Sequence, residues 1–336
     1  MSRPTLRTIA LAAKVSHCTV SRALRGDPRV SEKTRQIVQK LAAEMDYELN
    51  PYVASWMAHV RSTKKQIPTK GCLALLDYQT DKYFEASLKQ IHGATERAKE
   101  LGYNVEHISV FRERFKPERV KQILQTRAIQ GILLPLSGRL SNIDMSFDAF
   151  AVVAMGHRIA APPLHCTCFD HHTGVFTACN ELSKLGYERI GLVLSEDHVS
   201  QLEWRITSAY LGWQNQAKKT APIPPLVHQA VFQEKTVIDW CKRHRIDSLI
   251  CINPETYRDI LRKHFKLPGE IALACLDWDT QKIGIAGIDQ QHEMIGSAAV
   301  DILVNMINHN VCGISTTQYV TMVEGFWRPG ASAPGR

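Results

Sequence analysis

The chain has 336 residues, 44% of them hydrophobic and 22% charged, ordinary proportions that exclude a fibrous, collagen-like or wholly disordered protein. Its length fits two to three average domains, or one short module plus a large one. The net charge of +8 points to an anionic partner and is unevenly placed: residues 1–66 hold 12 Lys and Arg against 5 Asp and Glu, and residues 67–336 hold 29 against 28, as expected of a chain with a nucleic-acid-binding end.

Nine cysteines are scattered from Cys18 to Cys312 with no CxxC pair, a usage suited to a reducing cytoplasm. The start, Met1-Ser2-Arg3-Pro4-Thr5, lacks the apolar core of a signal peptide. No apolar run approaches the ~18 residues of a membrane span, so no membrane partner is expected.

The first predicted domain covers residues 1–48 and holds three short helices. The first places Leu6, Ile9, Ala10 and Ala13 at helical spacing. Ser16 is a good N-cap for a second helix running to about Leu24, since its hydroxyl can accept an orphan backbone N–H. Val20, Ala23 and Leu24 face inward with Val15, leaving His17, Cys18, Ser21 and Arg22 outward. After the Gly26-Asp27-Pro28 loop, Ser31 caps a third helix whose Ile37, Val38 and Leu41 complete the core. Two short helices joined by a tight turn, the second with a polar outer face, follow the helix-turn-helix plan. A generic three-helix bundle with a solvated basic face fits the periodicity equally well.

Particular residues separate the two. Thr8-Ile9-Ala10, Ala13, Val15-Ser16 and Thr19-Val20-Ser21-Arg22-Ala23-Leu24 are followed by Val30-Ser31, Thr34-Arg35, Tyr47 and Asn50-Pro51. Over about 55 residues this pattern resembles the DNA-binding headpiece of the lac/galactose repressor family of bacterial regulators. Lys14 stands where the family usually has a turn glycine. The resemblance implies that the helix from Ser16 enters the major groove and that His17, Cys18 and Arg22 read bases. Arg22 can bond bidentately to guanine O6 and N7, and His17 can donate or accept at a base edge. Cys18 suits either a thymine methyl or a half-buried place without DNA contact. Ser16, Thr19, Ser21 and Arg25 are placed for phosphates, which position without specifying sequence. Leu6 completes the headpiece set.

Residues 49–67 are expected to be a hinge helix and basic linker, with Pro51 in the first helical turn. The resemblance implies a segment that folds in the minor groove when two subunits meet, with Asn50, Tyr52, Ala54, Trp56 and Met57 at the DNA. Trp56 stands where the family has a leucine wedge that unstacks a base step. Packing on Trp56 of the partner, or of Tyr52, Trp56 and His59 on the core, are the alternatives.

From residue 68 to 330 strands alternate with helices. Strands are predicted over 71–76, 105–110, 131–135, 149–155, 166–169, 190–194, 248–252, 271–276, 284–288 and 317–323. Helices are predicted over 84–101, 117–126, 172–185, 202–218, 235–243, 255–265 and 292–307. This order implies parallel sheets with helices on both faces, and two Rossmann-like subdomains suit the strand number. No phosphate fingerprint follows any strand, so a nucleotide-dependent enzyme is disfavoured and no cofactor is expected.

The same resemblance continues through Asp170 and Gly174, Leu185-Gly186-Tyr187-Glu188-Arg189-Ile190-Gly191, Leu267-Pro268-Gly269-Glu270-Ile271-Ala272, Asp277 and Ile288-Asp289. It implies an α/β core of periplasmic-binding-protein type behind the all-α headpiece. Lobe one is drawn as about 68–160 plus 288–313, and lobe two as about 166–284 plus 315–328. Aromatic–polar neighbours near predicted strand or helix ends nominate Asp77, Tyr78, Trp204, Arg205, Asp277 and Trp278, with Ser137, as effector residues. Asp277 coincides with the family's effector-binding aspartate. Arg205 stands five residues before Tyr210, where the family's arginine stands four before an aromatic.

Six potential ligands crowd His165-Cys166-Thr167-Cys168-Phe169-Asp170-His171-His172, but without zinc spacing, so no metal is expected. No GxSxG elbow supports nucleophilic catalysis. The expectation is a cytoplasmic, sequence-specific DNA-binding repressor, not an enzyme. It binds a pseudo-palindromic double-stranded operator as a homodimer under allosteric control by a carbohydrate held between the lobes. A sugar-binding solute receptor and a sugar-acting enzyme on the same core are the rivals. The tail has no leucine heptads for a tetramer, and Val323–Arg328 departs from the commonest family ending.

Overall fold

A computed structural model describes residues 6–13, 15–24, 30–45, 70–78, 85–110, 116–135, 143, 145–156, 163–202, 204–217, 221–229 and 233–336. The chain divides into two units, Met1–Lys70 and Gly71–Arg336. The first holds α1 (Leu6–Ala13), α2 (His17–Leu24) and α3 (Glu32–Glu44). Both predicted caps form. Ser16 Oγ accepts the Thr19 N–H at 3.1 Å, and Ser31 Oγ accepts that of Thr34 at 3.3 Å, satisfying donors that the first helical turns leave open. Ile9, Ala10, Val20, Ala23, Val30, Val38 and Ala42 make the core, with Ala13, Val15, Leu24, Leu41 and Met45 around it. Ile37 does not join them and is 45% exposed. Val38 and Ala42 lie one turn apart on the inner stripe of α3, which turns position 37 toward the rim. The predicted hinge at 49–67 lies outside the described residues.

The larger unit contains two six-stranded sheets. The first comprises β1 (Gly71–Asp77), β2 (Tyr103–Ser109), β3 (Gly131–Pro135), β4 (Ala151–Met155), β5 (His165–Phe169) and β11 (Val320–Val323), in the order β11-β5-β4-β3-β1-β2. The second comprises β6 (Ile190–Ser195), β7 (Leu226–His228), β8 (Ser248–Cys251), β9 (Ala272–Trp278), β10 (Ala286–Asp289) and β12 (Phe326–Arg328), in the order β12-β10-β9-β8-β6-β7. All pairs are parallel except β10–β12. Central strands such as β3 and β4 are buried along their whole length, as strands covered on both faces must be.

Helices α4 (Glu85–Glu100), α5 (Pro117–Thr126) and α11 (His292–Asn308) belong to the first lobe. Helices α6 (His171–Lys184), α7 (Glu196–Gln201), α8 (Arg205–Ala217), α9 (Glu234–His244) and α10 (Pro254–Leu261) belong to the second. Helices α4 and α11 touch backbone to backbone. A Cβ on Gly296 would lie 1.9 Å from the Gln90 carbonyl oxygen, and one on Gly93 would lie 2.0 Å from that of Glu293, so only glycine permits this approach.

Strand pairing corrects the predicted lobe boundaries. β5 and β11, drawn in lobe two, pair with each other and join β4 in the first sheet, while β10 joins β9 in the second. Pairing partners, which local pattern does not reveal, decide membership. The chain thus crosses between lobes after β5, after β10 and after β11. The predicted single helix 202–218 is α8 alone, preceded by α7 and by Trp204 at φ 62°, a left-handed residue that ends one helix before the next begins. Strand β12 falls within the last strand region read at Val323–Arg328, but β7 was not anticipated. Nor was the strap beyond β12, in which Ser332 Oγ donates to Leu273 O at 2.6 Å and accepts from the Ala286 N–H at 2.8 Å.

Candidate functional site

Two surfaces carry the predicted chemistry. In the headpiece, α1 and α2 contain no acidic residue, and the N-terminus of α2 offers backbone N–H groups and a positive dipole end to an anion. Positions 17, 18, 21 and 22 share the stretch of α2 opposite buried Val20 and Ala23. Ser16 is exposed and engaged with Thr19, whose Oγ1 is 2.9 Å from Ser16 Oγ. Arg25, Asn50, Tyr52, Ala54, Trp56 and Met57 lie outside the described residues, as do the side chains of Leu6, His17, Cys18, Ser21 and Arg22.

In the core, all three crossings leave from C-terminal strand ends, so those ends of the two sheets face the junction between the lobes. This is where open parallel sheets hold ligands. The crossings are stitched together: the Asp170 N–H donates to Val323 O at 2.9 Å and Gln291 Nε2 donates to Glu324 O at 2.7 Å.

On the first lobe, Asp77 ends β1 and is buried, with Oδ2 3.7 Å from His107 Nε2. Tyr78 follows, its hydroxyl donating to Met145 Sδ at 3.7 Å, and burial pushes that phenol up to about 12. Ser137 lies outside the described residues.

The second lobe presents a denser polar edge. Ser195 ends β6 and caps α7, its Oγ 2.9 Å from His198 Nδ1. Burial lowers the His198 pKa, and nearby His228 adds to this while Asp197 and Asp277 oppose it. His228 ends β7. Its Nδ1 donates to Gln229 O at 2.6 Å, which leaves Nε2 to accept from the Tyr257 hydroxyl, also at 2.6 Å. Near the end of β9, Asp277 Oδ1 accepts from His292 Nε2 at 2.7 Å. Burial alone would raise the Asp277 carboxyl, but the His292 hydrogen bond, with the Lys282 charge, outweighs it and holds the group below the usual carboxylate range. Lys282 also donates to the Asp277 carbonyl and pairs with Asp279 at 3.0 Å.

The remaining candidates belong to the second lobe. Trp204 is 60% exposed between α7 and α8, and Arg205 opens α8 beside it. Trp278 is tied to its own lobe, with Nε1 donating to Ile285 O at 2.9 Å and the Arg328 guanidinium 5.3 Å from the ring centre. The structure therefore brings Asp277 together with His198, Lys282 and His292, none of them anticipated. His292 is 15 positions from Asp277 across a loop and a strand, a separation with no motif to mark it.

The His165–His172 segment is divided among structural tasks. His165 Nδ1 accepts from the Tyr319 N–H at 3.0 Å, Cys166 and Cys168 are buried in β5, and Asp170 caps α6. Among the described residues no group of three metal-ligating side chains occurs, and no helix is long and apolar enough to cross a membrane. A groove of about 360 Å³ beside Tyr187, Trp213 and Gln214 opens near the start of β6, and no predicted effector residue lines it.

Residues 5–50 match the family described as bacterial regulatory proteins, lacI family. The HTH-type transcriptional repressor CytR of Escherichia coli K12 is 28% identical over 209 residues, covering 60% of this chain and 57% of CytR. The HTH-type transcriptional regulator DegA of Bacillus subtilis is 26% identical over 200 residues, covering 58% and 56%. The chain thus spans little more than half the length of the curated relatives it matches. Among solved structures, the complex of transcriptional regulator CelR with cellobiose aligns over 98% of this chain and 100% of that one, at 18% identity and a TM-score of 0.56. The lac repressor dimer bound to operator and the anti-inducer ONPF aligns over 99% and 100%, at 17% identity and a TM-score of 0.56. At these identities the likeness establishes the fold: a helix-turn-helix headpiece and a two-lobed core of periplasmic-binding-protein type.

Proposed function

From a lacI-family helix-turn-helix domain joined to that two-lobed core, we propose that the chain is a cytoplasmic, sequence-specific DNA-binding regulator, a repressor and not an enzyme. It binds a pseudo-palindromic operator as a homodimer, and a carbohydrate between the lobes sets its operator affinity. The observation that carries this reading is one chain holding both parts: an acid-free pair of headpiece helices matching the family over residues 5–50, and facing strand ends lined with fixed polar groups. The names of the relatives, a repressor and a regulator, favour it, as do cellobiose on CelR and operator DNA on the lac repressor.

In this reading Arg22, His17 and Cys18 read base edges, while Ser16, Thr19, Ser21 and Arg25 hold phosphates. The segment from Asn50 to Met57 enters the minor groove with Trp56 as its wedge. Asp277 accepts sugar hydroxyls, with Asp77, Tyr78, Ser137, Trp204, Arg205 and Trp278 around the same cleft.

Selection of bound sequences from random DNA, with and without a panel of mono- and disaccharides, tests the proposal. A two-fold-symmetric site is expected, with affinity falling steeply as salt rises because bound phosphates release counterions. At least one sugar should shift the affinity. Failure to bind any DNA at low salt overturns it.

A further inference from the structure

At the crossing from β10 into α11, three polar side chains from three different elements link one lobe to the other. His292 is the first residue of α11, which packs on α4 and against β3, β4 and β5 of the first lobe. Its Nε2 donates to Asp277 Oδ1 at 2.7 Å, near the end of β9 in the second lobe, and its Nδ1 stands 3.5 Å from Gln90 Nε2 on α4. Gln90 and His292 are 6% and 9% exposed. A carboxylate only accepts, so it fixes the proton on His292 Nε2 and leaves the Nδ1 lone pair for the Gln90 amide. The chain is therefore directional, from amide to imidazole to carboxylate.

Two further observations mark it as more than packing. Among the described residues Gln90 Oε1 is buried without a partner, an arrangement that native interiors rarely keep unless the group has another task. Lys89, the neighbouring residue on α4, pairs with Glu85 at 3.2 Å and adds a minor favourable charge to the Lys282 pair that holds the Asp279 carboxyl low against its burial. Polar side chains of α4 and α11 thus meet the β9–β10 segment at the place where the lobes join.

We propose that Asp277, His292 and Gln90 form an interlobe latch. His292 is its positioning residue: it ties the end of β9 to the two first-lobe helices through Asp277 Oδ1, and Oδ2 accepts no hydrogen bond among the described residues. A polyhydroxyl ligand that takes Asp277 for its own hydroxyls competes with His292 and loosens the tie. The ligand half of this statement rests on the effector cleft proposed above. The latch itself is a property of the unliganded chain.

Electron–electron distance measurements on the full chain test it. Nitroxides are attached through a keto amino acid at exposed Arg119 and Lys235, one in each lobe, and labelled chain is diluted with unlabelled chain. His292→Phe removes the donor, His292→Gln restores an amide donor at a similar reach, and Gln90→Leu removes the first link. The unsubstituted protein should give one dominant distance. His292→Phe should raise the fraction of a second distance on the order of tenfold, as loss of a charge-assisted hydrogen bond predicts. Gln90→Leu should act in the same direction, more weakly, and His292→Gln should return the original distribution. Folding of each variant is checked by circular dichroism. If folded His292→Phe and Gln90→Leu both give the unsubstituted distribution, or if His292→Gln behaves as His292→Phe does, the latch is wrong and the effector cleft is untouched. If the distances respond as stated but neither cellobiose nor any other panel sugar binds, the latch stands and the cleft reading fails.

Discussion

In the first lobe the strand ends carry Asp77 and Tyr78, and the lobe is braced by two helices, α4 and α11, in backbone contact through Gly93 and Gly296. In the second lobe the strand ends carry Ser195, His228 and Asp277, with His198 in the first turn of α7, each joined to a partner by a bond of 2.6 to 2.9 Å. One sheet plan therefore serves two tasks. The first lobe is a stiff apolar platform, and the second is a pre-ordered polar edge whose groups are held before any ligand arrives. Such pre-ordering lowers the cost of binding.

The largest effect that separates the lobes is expected from Gly296→Ala. Its Cβ would meet the Gln90 carbonyl oxygen at 1.9 Å and the Ala94 nitrogen at 2.8 Å. Both are backbone atoms, so whole helices must move apart. A loss of about 3 kcal/mol or more is expected in urea unfolding. A loss below about 1 kcal/mol would end the view of the first lobe as a stiff platform.

A matched pair of substitutions then compares buried polar groups. In the second lobe, Tyr257→Phe strips His228 Nε2 of its donor in a buried place, at an expected cost of about 1–3 kcal/mol. In the first lobe, Thr167→Val removes a hydroxyl that donates to Ile295 O at 2.9 Å from a fully buried site. That carbonyl lies within helix α11 and keeps its place in the helical ladder, so the cost should be about 1 kcal/mol or less. Equal losses would show that the second lobe's polar edge is no more committed than ordinary core hydrogen bonds.

The legible parts of the molecule were those where local pattern and local structure coincide. Ser16 and Ser31 announce their helices because a cap is a contact three residues long. Buried strands such as Gly131–Pro135 announce themselves by continuous apolar runs. Asp277 is nominated because a predicted strand end and the position of the family resemblance coincide there. What was hidden depends on distant partners. Nothing local to Val320–Val323 says that it pairs with β5 and not with a second-lobe strand. Trp204 gives no glycine signal for its left-handed backbone. His292 becomes a site residue only because β9 and α11 end at one crossing. Ile37 was placed inward because it is apolar, whereas the stripe through Val38 and Ala42 decides the face.

The smallest expected effect concerns acid, and it bears on two carboxylates of the second lobe. Asp277 and Asp279 both titrate below the usual carboxylate range, since His292 and Lys282 favour their charged forms more than burial opposes them. A carboxyl lowered in the folded state contributes stability above its unfolded value of about 3.9. The contribution is lost as pH falls through the lower folded value, because the unfolded chain takes up its proton first. Thermal midpoints measured from about pH 5 down to about pH 2.5 should therefore fall less steeply for Asp277→Asn and Asp279→Asn than for the unsubstituted chain. The difference should amount to about 1 kcal/mol or less, because partly exposed pairs are screened. Equal slopes would mean that His292 and Lys282 hold these carboxyls no more tightly folded than unfolded, and the polar edge would lose its claim to be set in advance.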